Sequence, residues 1–303
     1  MGPPGNKITP LGIILLTLAL AGIGWTVWRA ATQSNDWGSD RSLERIRERG
    51  TIRVGFANER PYGYLNTDTG EITGEAPEVA KHVFEKLGIE HFEPVVTEFG
   101  TLIPGLQARR FDVIAAGMYI TPERGAQIAF SNPTYAIGEG FIVLAGNPKS
   151  LHSYETLAEN QDARLGVMGG SVEHGYARSL GVSEDRIVLF PDYLSAMKGL
   201  EAGRIDAVGA TANTINDLLS KADNLNIERA DPFENPVIDG RSILGYGAFG
   251  FHKEDEALRD AFNEVLAEFI GSPEHLKLVE PFGFGENTLP GDMTAEQLIE
   301  GSH

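Results

Sequence analysis

Short β-branched or apolar runs alternate with segments of helical period, and they do so in two series along this chain. The first series begins with TIRVGFA (51–57), followed by APEVAKHVFEKL (76–87), which sets Val79, Val83, Phe84 and Leu87 on one helical face and stops at Gly88. Strands at Phe92–Val96 and in FDVIAA (111–116) flank a helix at Leu102–Arg109. The second series runs ARLGVM (163–168), a helix at Ser171–Leu180, RIVLF (186–190), a helix at Leu194–Ala202, and IDAVGA (205–210). Such alternation predicts parallel pairing with helices on both faces of each sheet, so the expectation is an α/β architecture in two lobes. Ser42 is placed to cap a short helix, LERIRERG, ahead of the first strand. The run GFIVLA (140–145) reads as another buried strand, within the extended stretch Gly140–Pro148 that joins the two series. YGAFGFH (246–252) reads as a strand returning to the first lobe, before a helix at Asp255–Ile270.

Ahead of this body lies a second constraint. No charged residue occurs between Lys7 and Arg29, and Leu11–Trp28 has no polar face. That length suits a cleaved signal peptide or an uncleaved membrane anchor, with small residues at Ala30 and Ala31 for cleavage. Either way the remainder is expected to be extracytoplasmic, in the periplasm or at the cell surface. The expected organisation is a signal or anchor segment (1–31), a linker (32–43), a first lobe (44–143), a second lobe (144–231), a return to the first lobe (232–290) and a C-terminal tail (291–303). Hinges are expected near Phe141–Ala145 and Ala230–Phe233.

Composition removes whole classes of function. The formal net charge is −18, which repels phosphate backbones and argues against nucleic-acid binding. The absence of cysteine excludes disulfides, thiolate metal sites, cysteine nucleophiles and a lipid-anchored processing site. The seven histidines form no HExxH or other close metal spacing, so no metal or cofactor is expected. GVMGGS (166–171) lacks the GxGxxG pattern of a dinucleotide site and the Lys of a phosphate loop. It does place Gly169, Gly170 and Ser171 at a helix N-terminus, a natural cradle for an anion.

The most informative stretch is DVIAAGMYITPERGAQIAFSNPTY (112–135). Gly117–Thr121 emerges at the carboxyl end of a buried strand, where open α/β sheets bind ligands. Thr121-Pro122-Glu123 is a helix-start signal. Arg124 then sits in the first turn, where a cation opposes the helix dipole and calls for an outside reason. A carboxylate held by its bidentate fork supplies one.

TIRVGFANERPYGYLN, APEVAKHVFEKLG, LIPGLQARRFDVIAAGMYITPERGAQIAFSNPTY, GVMGGS and GRIDAV occur in this order. Together they resemble the solute-binding proteins of polar amino-acid ABC importers over about residues 44–290. The resemblance implies two α/β lobes joined by two hinge strands, a ligand held in the cleft, no catalysis, a monomer, and delivery to a membrane permease. Within that family an Asp usually stands at Thr211 and holds the α-ammonium, and the position of Tyr119 is usually Ser or Thr. With the ammonium clamp gone and the aromatic content raised, the site is similar to those of ectoine/5-hydroxyectoine-binding proteins. The resemblance implies a cage of Tyr62, Phe99 and Tyr119 around a delocalised cation, with Glu59 neutralising it. Arg124 and the Gly170/Ser171 amides would hold the carboxylate, with Gly117, Thr121 and Thr211 completing the site. Core packing is the competing account of the three aromatics. Other functions on this scaffold are an ordinary polar amino-acid binder, an exported cyclohexadienyl dehydratase with Glu59 or Glu173 as its acid, and a sensory module.

Overall fold

The computed structural model describes residues 40–222 and 226–301. The apolar N-terminal run lies outside the described residues. Among those described, no helix is long and apolar enough to cross a membrane.

The first sheet is built around Thr51–Phe56. It pairs in parallel with His91–Val96, from Thr51↔His91 to Phe56↔Val96, and with Val113–Tyr119 on its other side. The strand Gly245–Phe251 runs antiparallel beside Val113–Tyr119 and carries Ala129–Phe130 and Tyr135–Ile137 on its outer edge. The helix Glu75–Lys86 buries Val79, Ala80, Val83 and Phe84, the stripe that its period predicts. The helix Glu256–Phe269 buries Leu258, Phe262, Leu266 and Phe269. Phe262 is fully buried, with ring centroids of Phe249, Phe84 and Phe251 at 4.7, 5.1 and 5.3 Å. Ser42 is the first residue of its helix (Ser42–Arg49), and its hydroxyl accepts the Leu258 amide at 3.0 Å in the helix it packs against.

The second sheet orders Ile187–Phe190, Leu165–Met168, Ala207–Thr211, Glu139–Leu144 and Ile227–Arg229. The first three are parallel and the last two antiparallel to their neighbours. Each lobe is thus a parallel α/β sheet with one strand of opposite direction, Gly245–Phe251 in the first and Glu139–Leu144 in the second. A chain that leaves one lobe and returns must bring those strands back against the series, which alternation alone does not reveal. The second lobe has its own core of Phe141, Val143, Leu151, Tyr154, Leu157, Leu165 and Val167.

The lobe boundary falls elsewhere than the sequence reading put it. Tyr135–Ile137 belongs to the first sheet and Glu139–Leu144 to the second, so the outward crossing is at Gly138 rather than beyond 143. The GFIVLA run is the buried strand its apolar character predicts, flanked on both sides within the second sheet rather than lying between the lobes. On the way back, Ala230 N donates to Phe141 O, Glu234 N to His152 O and Val237 N to Glu155 Oε1. Those bonds hold 230–237 to the second lobe. A hairpin follows (Val237–Ile238 with Arg241–Ser242), and Gly245 then pairs with Ile137. The residues expected to be a tail include a helix, Ala295–Glu300, whose first amide donates to Asn132 Oδ1 at 3.2 Å.

Phe262→Ala leaves a ring-sized hole among three other rings. It is expected to destabilise the protein by about 3–5 kcal/mol in denaturant unfolding, the usual range for a buried Phe.

Candidate functional site

The site is assembled from strand ends and the turns after them. Val113–Tyr119 delivers Gly117 and Tyr119, and the turn after it delivers Arg124 from the short helix Pro122–Gly125. Thr51–Phe56 leads to Glu59 and Tyr62 through a tight loop in which Glu59 and Gly63 exchange backbone bonds of 2.8 and 2.9 Å. Phe99 opens a single 3-10 turn. From the second lobe come Met168 at a strand end, Ser171, Val172 and Glu173 at the start of Val172–Ser179, Tyr193 at the start of Tyr193–Glu201, and Thr211 at the start of Ala212–Ser220. Together they line one pocket between the lobes.

The lobes are closed on each other. Tyr62 Oη donates to Thr211 Oγ1 at 2.7 Å, and Thr214 Oγ1 donates to Glu59 Oε1 at 3.0 Å. Arg124 bridges the cleft: Nη1 donates to Tyr119 O at 2.8 Å in its own lobe and Nη2 to Gly170 O at 2.9 Å in the other. Two carbonyls leave the remaining guanidinium N–H groups for another acceptor. Phe99 lies beside it, with the Arg124 guanidinium carbon 5.5 Å from the ring centroid.

Two glycines let the aromatic rings lie against backbone. Gly117 has φ +62°, and a Cβ there would come within 2.3 Å of the Tyr62 ring. At Gly245 a Cβ would sit 1.7 Å from the Tyr119 ring. Both rings are almost wholly buried, and the Tyr119 hydroxyl has no hydrogen-bond partner among the described residues.

Burial dominates the electrostatics. It raises the Glu59 carboxyl to about 8, helped by the nearby charge of Glu173, although part of the Glu59 residue surface still meets solvent. Burial also pushes Glu173 and Glu139 upward, and the charge of Glu173 and a hydrogen bond with it raise Glu139 further. It pulls the Arg124 guanidinium down from its ordinary value, against the pull of Glu173. Behind the cavity, Glu75 is raised to about 8 by burial, while Thr134 donates to its carboxyl at 2.9 Å.

Eight residues singled out from sequence meet in the cavity: Glu59, Tyr62, Phe99, Gly117, Tyr119, Arg124, Ser171 and Thr211. Thr121 and Gly170 stand outside its lining. Thr121 caps the helix of Arg124, its hydroxyl accepting the Arg124 amide at 3.2 Å, and Gly170 offers its carbonyl to the guanidinium. Within the expected anion cradle, the turn itself takes up the Ser171 amide, which donates to Met168 O, and the Gly169 amide, which donates to Phe190 O. Met168, Val172 and Tyr193 are additions, and Glu173 joins as a wall of the cavity. Tyr193 had a signal, since it follows RIVLF as Tyr119 closes its own strand, at the carboxyl edge of a sheet.

The raised carboxyls set a pH dependence. A carboxyl that titrates near 8 when folded and near 4.5 when unfolded binds more protons in the folded state between those values, so stability falls as pH rises through that window. Thermal unfolding followed across it is expected to show a shallower decline in Glu75→Gln than in wild type. Identical slopes would show that Glu75 does not carry this linkage.

The family model of bacterial extracellular solute-binding proteins, family 3, matches residues 52–286. A probable amino-acid ABC transporter periplasmic-binding protein, y4tE of Sinorhizobium fredii, is 41% identical over 261 residues, covering 85% of each chain. The histidine-binding periplasmic protein of Salmonella typhimurium is 26% identical over 234 residues, 76% of this chain and 86% of that one. Among solved structures, EhuB in complex with hydroxyectoine superposes with a TM-score of 0.79 at 39% identity, covering 86% of this chain and 98% of that one. The ancestral amino acid-binding protein AncCDT-1, a precursor of cyclohexadienyl dehydratase, gives 0.68 at 25% identity, with coverage of 80% and 99%. With its two lobes and closed cleft, the chain belongs to the bacterial extracellular solute-binding proteins of family 3 and is a solute-binding protein of an amino-acid-type ABC importer.

Proposed function

We propose that the cleft captures a zwitterionic compatible solute, ectoine or hydroxyectoine, and that the protein presents it as a monomer to a membrane permease outside the cytoplasm. The N-terminal apolar segment serves as export signal or anchor. The observation that carries this reading is the meeting in one cavity of the rings of Tyr62, Phe99 and Tyr119, the Glu59 carboxyl and the Arg124 guanidinium. A cyclic amidinium is weakly hydrated, so flat aromatic faces and one carboxylate satisfy it, with each good cation–π contact worth about 0.5–2 kcal/mol. The similarity to EhuB, whose structure holds hydroxyectoine, supports the same ligand class.

Arg124 supplies the carboxylate anchor in this reading, and Tyr119 closes the cage against Gly245. Arg124→Ala is expected to weaken ectoine binding by about 2–5 kcal/mol, the cost of breaking a buried charged pair. Arg124→Lys recovers only part of that loss, because an ammonium has no planar fork. Calorimetric titration measures both, and near-normal affinity in Arg124→Ala would remove Arg124 from this role. Ectoine is expected to bind at least about a hundredfold tighter than glutamine, arginine or glutamate, roughly 2.7 kcal/mol. Tighter binding of any of these amino acids would sink the ectoine reading and leave the importer intact.

A second reading has one observation in its favour. Glu173 is a buried cavity carboxyl that burial pushes upward, the direction that the acid of an exported cyclohexadienyl dehydratase would need. Turnover of prephenate or arogenate by the purified protein decides it.

A further inference from the structure

One helical turn carries much of the bonding across the closed cleft. Thr211, Asn213 and Thr214 stand at the start of Ala212–Ser220 in the second lobe, and all three are buried. The Thr211 hydroxyl is fully engaged. It accepts from Tyr62 Oη at 2.7 Å and from the Thr214 amide at 3.2 Å, and it donates to Thr214 Oγ1 at 3.2 Å. A hydroxyl has one proton and two lone pairs, so nothing of it is left for a ligand. Thr214 Oγ1 in turn donates to Glu59 Oε1 at 3.0 Å.

These bonds form a chain of hydroxyls. It leaves the first lobe at Tyr62, runs through Thr211 and Thr214, and returns to the first lobe at Glu59. Groups linked in this way polarise one another and strengthen each bond. Both ends of the chain, Tyr62 and Glu59, line the ligand pocket, whereas Asn213 and Thr214 stand outside its lining. Asn213 makes a separate crossing, its Nδ2 donating to Gly283 O at 3.0 Å. Gly283 follows the helix Pro273–Val279, which packs on Glu75–Lys86 of the first lobe. The ring of the next residue, Phe284, lies 5.6 Å from that of Tyr62. Both crossings therefore converge on the wall that Tyr62 gives to the pocket.

We propose that Asn213 and Thr214 are positioning residues that latch the two lobes shut over a ligand which neither of them touches. The latch grips Glu59 and Tyr62, so a ligand that seats those two side chains completes it. Thr211 then serves closure rather than ligand recognition. Residues of this kind act on the balance between open and closed protein, so they scale the affinity for every ligand by one factor and leave selectivity alone. The inference rests on the pocket being the ligand site, and not on the ligand being ectoine.

The test uses the full-length protein with spin labels on Glu93→Cys and Leu189→Cys, exposed positions on the outer edge strands of the two sheets. The chain has no cysteine of its own, so labelling is confined to these positions. Label-to-label distances from pulsed electron paramagnetic resonance give the closed fraction, free and with ectoine or hydroxyectoine. Thr214→Val and Asn213→Ala are each expected to lower the closed fraction. Each should also weaken both ligands by the same factor, about fivefold for a lost hydrogen bond. Thr214→Ser keeps the hydroxyl and is expected to restore closure. Thermal unfolding shows which variants are folded, and either one alone suffices. With neither folded, Thr214→Ser decides, and closure unlike that of wild type overturns the latch. An unchanged closed fraction in a folded Thr214→Val or Asn213→Ala variant overturns it, as does a shifted ratio of the two affinities. So does a wild-type protein that is never closed under any of these conditions. Should neither ligand bind, the ectoine reading fails, and the closed fractions of the free proteins still decide the latch.

Discussion

Arg124 is the group on which the arrangement of the cleft depends. Its guanidinium is nearly buried and bonded to one carbonyl from each lobe, Tyr119 O and Gly170 O. A buried cation must be surrounded by acceptors, and carbonyls satisfy it without neutralising it. The positive charge that remains faces the cavity and the raised carboxyl of Glu173. Everything that carries Arg124 follows from this need: a strand that ends at Tyr119, a cap at Thr121, and a one-turn helix. The other lobe needs a backbone turn that can approach closely. Gly100 and Gly170 provide it, since a Cβ on Gly170 would lie 2.5 Å from Gly100 Cα.

Much of this was legible in the sequence because the responsible residues have local signatures. Thr121-Pro122-Glu123 announced a helix start, and the structure has Thr121 as its cap. The aromatic at 119 stood out in a polar segment past a buried strand, and Tyr119 lines the cavity. What was not legible depends on partners distant along the chain. The run 140–145 reads the same whether it connects lobes or lies within a sheet, and only its pairing with Ala207–Thr211 and Ile227–Arg229 distinguishes the two. Likewise GVMGGS suggests free amides, but whether the amides of Gly169 and Ser171 are free is settled by their acceptors, Phe190 O and Met168 O.

Glu139 shows the same limit from the other side. An acidic residue opening an apolar strand looks like an edge or a turn, and nothing nearby in sequence marks it as a neighbour of Thr211. Its setting arises from the antiparallel register of two strands about seventy residues apart.

The C-terminal helix bears on how the protein is handled. Ile299 lies against Gly125, the last residue of the helix that carries Arg124, and a Cβ on Gly125 would come within 2.6 Å of it. The final turn therefore buttresses the element that presents the guanidinium. An affinity tag or fusion partner attached at the C-terminus is mechanically close to the ligand cleft in structure, though far from it in sequence. A clipped C-terminus would loosen Arg124 without touching any residue of the cavity wall.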